Sequence, residues 1–257
     1  MAIGLNIANP KVSVLVPPSD LSLFLICLTV SSRTNHPFLN LRNYPLHLSS
    51  NLIMYKGEKF NSISHLVGSV LALAGMIFLV VMASIQGDPW KIVSLSIYGT
   101  TLLLVYLNST FYHSFQGRTK AVFRTLDHLS IYLLIAGTYT PLTLVSLRGG
   151  WGWPLFGTIW GLAFLGIGLE LFSKTRQKIL TIPIYVIMGW LILIASHPLV
   201  NALPAGGLIA LLVGGLFYTS GVIFYVSKDR IRHSHGIWHL FVMAGSFCHF
   251  LTMLYVL

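Results

Sequence analysis

Near its C-terminal end the chain reads HSHGIWHLFVMAGSFCHFLTMLYVL, polar and basic at first and apolar to the last residue. His235 and His239 stand four positions apart in it. On an α-helix that spacing stacks two side chains on one face, so two imidazoles can share one cation. The pair supplies half of a four-coordinate site. An equally simple reading makes them interfacial histidines that hydrogen-bond headgroups and water at a helix end. Other residues must decide, and the elements that carry them come first.

The 257 residues are 55% hydrophobic and only 9% charged, far more apolar than a soluble domain of this length. They predict an all-α, polytopic integral membrane protein. The net charge of +10 does not point to nucleic acid, because the basic residues form short clusters between long apolar runs. Two cysteines, Cys27 and Cys248, give no disulfide framework and no cysteine-based zinc site.

Residues 1–55 differ from the rest, with five prolines among Asn, Ser and Leu. Their one apolar run, 21–30, is half the length of a span. This segment is expected to be a poorly ordered extension, with Met54 as the natural start. From residue 56 the apolar runs become regular, and spans are expected at 62–85, 92–115, 126–147, 153–172, 179–196, 206–226 and 236–257. Short connections make consecutive helices antiparallel neighbours in a seven-transmembrane bundle, residues 56–257.

Fourteen of the sixteen lysines and arginines fall before the first span or after the second, fourth and sixth; only Lys91 and Arg148 fall in the alternate loops. By the positive-inside rule the N-terminus is cytoplasmic, and Trp90, Trp151 and Trp153 mark the outer interface. Gly68 with Ala72, and Gly157 with Gly161, have the spacing of close helix contacts.

This topology assigns each polar residue a depth. Ser109 and His113 end the second span, Asp127 and His128 begin the third, and His235 and His239 begin the seventh, so all lie in the cytoplasmic leaflet. His65 and Glu170 lie at similar depth. Ionisable groups in membrane helices are costly unless paired or facing a cavity. Asp127 is a candidate active-site carboxylate, or else a helix-start carboxylate paired with Arg124. Glu170, one turn before Lys174, reads as half of a structural ion pair. His249 lies about 15 Å beyond His239 by helical rise and cannot share its ion.

Three imidazoles on a zinc ion leave one tetrahedral position open, the pattern of a catalytic site, where the metal acidifies water and polarises a carbonyl. Asp127 can take a proton there, and Ser109, one turn from His113, can hydrogen-bond an oxyanion. A site within the inner leaflet expects membrane lipids as partners and, as substrate, a lipid with an amide or ester bond.

The stretches GEKFNSISHLVG (57–68), STFYH (109–113), LDHLSIYLLIAGTYTP (126–141) and HGIWHLFVMAGSFCHF (235–250) closely resemble the hemolysin III group, the bacterial branch of the progestin and adipoQ receptor family. The resemblance implies a seven-helix protein of the cell membrane, with Zn²⁺ held by His113, His235 and His239 and with Ser109 and Asp127 at the remaining motif positions. It also implies a choice of functions. Relatives include ceramidase-like adiponectin receptors, which favours a zinc-dependent lipid amide hydrolase; the group's name derives from haemolysis, which favours a membrane-perturbing protein. A sensor or receptor with structural zinc is the third expectation.

Overall fold

The computed structural model describes residues 57–172, 178–227 and 232–257. The expectations for residues 1–55, and for Lys174 as a partner of Glu170, lie outside the described residues. The described chain is helical: α1 (Lys59–Gln86), α2 (Pro89–Ser114), α3 (Gly117–Pro141), α4 (Gly152–Phe172), α5 (Lys178–Trp190), α6 (Ser196–Ala202), α7 (Ala205–Val226) and α8 (Ser234–Val256). A π-helical turn, Leu142–Ser146, extends α3, and a 3₁₀ turn, Leu191–Ala195, joins α5 to α6. Among the described residues seven helical segments are long and apolar enough to cross a membrane, with Thr181–Ala202, from α5 through the 3₁₀ turn to α6, counting as one. The protein is a multi-pass integral membrane protein.

Consecutive helices pack as neighbours, α1 on α2, α2 on α3 and α7 on α8, and α8 closes back onto α1. Leu79, Leu95, Tyr98, Tyr132, Leu142, Ile159 and Met253 are fully buried between them. Val70, Leu71, Ile85, Phe164, Phe172, Ile209 and Phe247 point outward. In water such a surface would be a large association patch, whereas in a bilayer it faces lipid tails.

Helix starts follow local chemistry. The Asp88 side chain accepts the Trp90 backbone N–H at 2.9 Å, and Pro89 takes the first helical position, where no N–H is needed. At the other end of α1, Gly87 adopts the left-handed conformation (φ 70°) and its N–H returns to Ala83 O. At that end of the bundle, the Arg148 guanidinium lies 4.1 Å over the Trp90 ring, and Trp90 meets Trp153 edge to face at 5.8 Å.

Two spans, the third and the fifth, depart from the pattern of apolar runs. α3 starts at Gly117, nine residues before the expected 126, so Arg118, Lys120 and Arg124 ride on its first turns rather than in a loop. Long basic side chains can carry a helix past the hydrocarbon edge, and hydropathy registers only the apolar part. Pro141 lacks an N–H, and the helix widens there into the π turn, where the Thr143 hydroxyl donates to Tyr139 O at 2.8 Å. In the fifth span the helix tightens at Leu191, and Tyr139 serves the groups released. Its hydroxyl accepts from Ile192 N at 2.7 Å and donates to Met188 O at 2.8 Å.

Of the small-residue pairs, Gly68 does sit in a close approach, its α-carbon facing the Tyr106 ring. Gly157 and Gly161 have nothing within 4 Å where a side chain would project, so they make no close helix contact.

Candidate metal centre

The site forms at the end of the bundle where α1, α3 and α8 begin and α2 finishes. Four segments converge there because antiparallel order brings those termini to one level. The left-handed turn at His233 (φ 61°) leads the chain into α8, whose first turns carry His235 and His239. His113 lies in the last turn of α2.

The three imidazoles aim at one another. His235 Nε2 is 3.1 Å from His113 Nε2 and 3.2 Å from His239 Nε2. His113 and His239 are buried and His235 is partly exposed. Each ring nitrogen has one in-plane position, holding either a proton or a lone pair, so His235 Nε2 cannot serve two neighbours by hydrogen bonding. A cation at the meeting point resolves the crowding. A tetrahedral ion with zinc–nitrogen bonds of about 2.0–2.1 Å holds its donors about 3.4 Å apart, close to the spacing found. Nitrogen donors of this kind suit zinc, and the residues present fit the ion that the sequence suggested.

Around these rings is a cavity of about 470 Å³, lined on its polar side by Ser109, Asp127, His128 and Arg124. Asp127 and Ser109 line the same part of that cavity, and Asp127 lies in the field of His113 and His128. The alternative in which Asp127 pairs with Arg124 is not what forms; no ion pair between them occurs among the described residues. Deeper along the same helices the wall turns apolar, with Val105, Ile131, Leu134 and Val242.

The other polar residues find distinct roles. Glu170 is bound to His128 Nδ1 at 3.4 Å and receives the Thr181 hydroxyl at 3.0 Å, so its partners come from α3 and α5. His249 contacts Leu211 O at 3.3 Å, away from the centre. His65 is buried, with its ring stacked 3.7 Å from that of His239.

Two residues without an assigned role in the sequence reading join the site. Glu58, just before α1, has Oε2 2.6 Å from His113 Nδ1, and Asn61 Nδ2 donates to the same oxygen at 2.9 Å. The hydrogen bond to His113 holds the Glu58 carboxyl down to about 2, with Asn61 and Lys120 acting in the same sense against the effect of burial. The Asn61 carbonyl lies 3.2 Å from His239 Nδ1. The signal available beforehand was the stretch GEKFNSISH itself, polar residues crowded against the first turn of an apolar span.

Comparison with known proteins agrees with the family resemblance read from the sequence. The profile of the haemolysin-III related family matches residues 53–250. The chain is 41% identical over 201 residues to the "Hemolysin-3 homolog" of Bacillus subtilis (strain 168), covering 78% of this chain and 94% of the relative. "Hemolysin-3" of Bacillus cereus is likewise 41% identical over 201 residues, 78% of this chain and 91% of that one. The human "Monocyte to macrophage differentiation factor" is 28% identical over 173 residues, 65% of this chain and 71% of the relative.

Proposed function

Starting from the fact that this chain belongs to the haemolysin-III related family, we propose that it is a zinc-dependent membrane hydrolase that cleaves a lipid amide or a related linkage. The observation that carries the reading is the composite wall of one cavity: three converging imidazoles and a carboxylate at its mouth, and Val105, Ile131, Leu134 and Val242 further in. A polar linkage is held at the mouth while an alkyl chain extends inward among the apolar residues.

His113, His235 and His239 would hold the zinc. Bound there, the ion supplies a Lewis acid that acidifies water and polarises a carbonyl. The Asp127 carboxylate accepts the proton of the attacking water and returns it to the leaving nitrogen or oxygen as the carbonyl carbon's bond to that atom breaks. Ser109, beside Asp127 on the cavity wall, can donate its hydroxyl to an oxyanion or to that carboxylate. The apolar wall keeps bulk water from the linkage. With the N-terminus cytoplasmic, as the distribution of Lys and Arg supports, the cavity opens in the inner leaflet of the cell membrane.

A second reading follows from the names of the two Bacillus relatives, which describe hemolysins. It makes the protein membrane-perturbing, and one experiment separates the two. Detergent-purified wild type should carry about one zinc per chain, and His235→Ala and His239→Ala should each reduce it. Asp127→Asn should retain the metal yet release no fatty acid from a membrane lipid extract that the wild type cleaves. Dye leakage from liposomes, equal for wild type and Asp127→Asn and without lipid products, would replace the hydrolase by the second reading. Zinc content indifferent to both histidine changes would remove the metal centre.

A further inference from the structure

Two of the three converging imidazoles are held from behind by one short stretch at the head of α1, a helix that contributes no nitrogen to the centre. His113 Nδ1 faces Glu58 Oε2 at 2.6 Å, and His239 Nδ1 faces the Asn61 carbonyl oxygen at 3.2 Å. An ionised carboxylate and a peptide carbonyl can only accept. Each Nδ1 therefore carries a proton, and in the neutral ring, the form that binds a metal, each Nε2 is left with a lone pair directed at the meeting point. In the other tautomer an Nε2–H would point there and exclude a cation.

The acceptors are themselves fixed. Asn61 Nδ2 donates to Glu58 Oε2 at 2.9 Å, and Lys120 Nζ lies 3.4 Å from Oε1. Asn61 thus acts twice, through its side chain on Glu58 and through its backbone on His239. The Ser64 hydroxyl donates to the same Asn61 carbonyl at 3.0 Å and sits 3.4 Å from His239 Nδ1. His65 covers the face of the His239 ring at 3.7 Å with 19° between planes, which opposes rotation of that ring. A ring lying parallel to His239 cannot aim its own in-plane lone pair at an ion in the His239 plane, so His65 acts as packing and not as a fourth ligand.

We propose that residues 58–65 form an orienting clamp, in which Glu58 and Asn61 are positioning residues that set the tautomer and ring direction of His113 and His239 and thereby tune metal affinity. The inference rests on reading the three histidines as a metal site. Carboxylates and carbonyls behind metal-bound histidines typically contribute 10–100-fold in affinity.

The test uses the full-length protein in detergent, with zinc affinity measured by competition against a chromophoric chelator and ligand-field absorption measured after loading with Co²⁺. Glu58→Ala should weaken zinc by about 10–100-fold and shift the Co²⁺ bands. Glu58→Gln, whose amide oxygen still accepts from Nδ1, should recover much of the affinity and return the bands toward wild type. Asn61→Leu, which frees Glu58 but keeps the backbone carbonyl, should fall between. A role in folding alone predicts no such graded recovery of the Co²⁺ spectrum. If His113→Ala loses zinc while Glu58→Ala and Asn61→Leu bind it as tightly as wild type, the clamp is overturned and the metal centre stands. If His113→Ala also binds as wild type, the metal centre itself is wrong.

Discussion

The seam between α2 and α3 brings His113 and Asp127 to one cavity, and along it Gly137 packs closely on Thr101. Both residues are buried. A Cβ added at Gly137 would fall on Thr101 Oγ1 and stand 3.0 Å from both Thr101 Cβ and Cγ2. Rotating Thr101 to relieve the contact would break the hydrogen bond its Oγ1 donates to Tyr98 O at 2.9 Å, and a β-branched side chain in a helix has few other rotamers open to it. Gly137→Ala should therefore either force Thr101 off that bond or push the two helices apart by about 1 Å, an overpacking cost of about 1–3 kcal/mol. Thr101→Ala removes two of the three obstructing atoms and leaves only the Cβ contact. The double variant should consequently recover part of the loss, with a coupling of about 0.5–3 kcal/mol between the two positions. Unfolding midpoints of the wild type, both single variants and the pair, in one detergent, measure this cycle. A Gly137→Ala protein as stable as wild type, or strictly additive effects in the pair, would refute the close approach as the source of the cost.

Further outcomes follow from the same geometry. Stripping zinc with a chelator should lower the melting temperature: an ion present at 100 times its dissociation constant stabilises the folded state by about 2.7 kcal/mol, or roughly 5–11 °C for a protein of this size. Coincident melts of stripped and zinc-loaded protein in scanning fluorimetry would contradict a shared ion. Tyr139→Phe should destabilise by about 1–3 kcal/mol, because its hydroxyl serves Met188 O and Ile192 N where the fifth span changes from α to 3₁₀. An unfolding free energy within about 0.5 kcal/mol of wild type would show that this hydroxyl leaves no buried group unpaired when it is removed.

The number of spans was readable because lipid-facing helices need long apolar runs, and length and composition alone register those. Where α3 begins was not readable: in Gly117 to Thr125 three basic residues and two threonines surround the short apolar run Ala121–Phe123, and a hydropathy window discards the stretch although the backbone is already helical. The depth argument brought Ser109, His113, Asp127, His235 and His239 to one level, and the structure puts all five on one cavity. It could not give azimuth. Depth alone left Asp127 free to face Arg124, while helix rotation turns it to Ser109 and His113. Likewise Glu170 meets His128 and Thr181, partners that sequence spacing could not supply because they lie on other helices. Glu58 and Asn61 escaped for a related reason. They precede or open the first span, and their contacts with His113 and His239 reach across 55 and 178 positions.

That last separation has a consequence for how site and fold depend on each other. His239 is presented by the final span and steadied by the first, so the centre exists only when α8 has closed against α1. Bringing chain ends so far apart in sequence into register carries a loop-closure cost that contacts between consecutive helices do not share. The seam that meets it is made of α1 and α8, and at its head the Gly236 α-carbon faces the Phe60 ring and the Asn61 side chain. An ion bound by His113, His235 and His239 ties α2 to α8, and through Glu58 and Asn61 it ties both to α1. Binding energy at the centre is therefore energy of bundle closure, and the first and last spans separate most readily in the metal-free protein. Although it adds no ligand, the head of α1 is what directs His113 and His239 at a common centre once the bundle has closed.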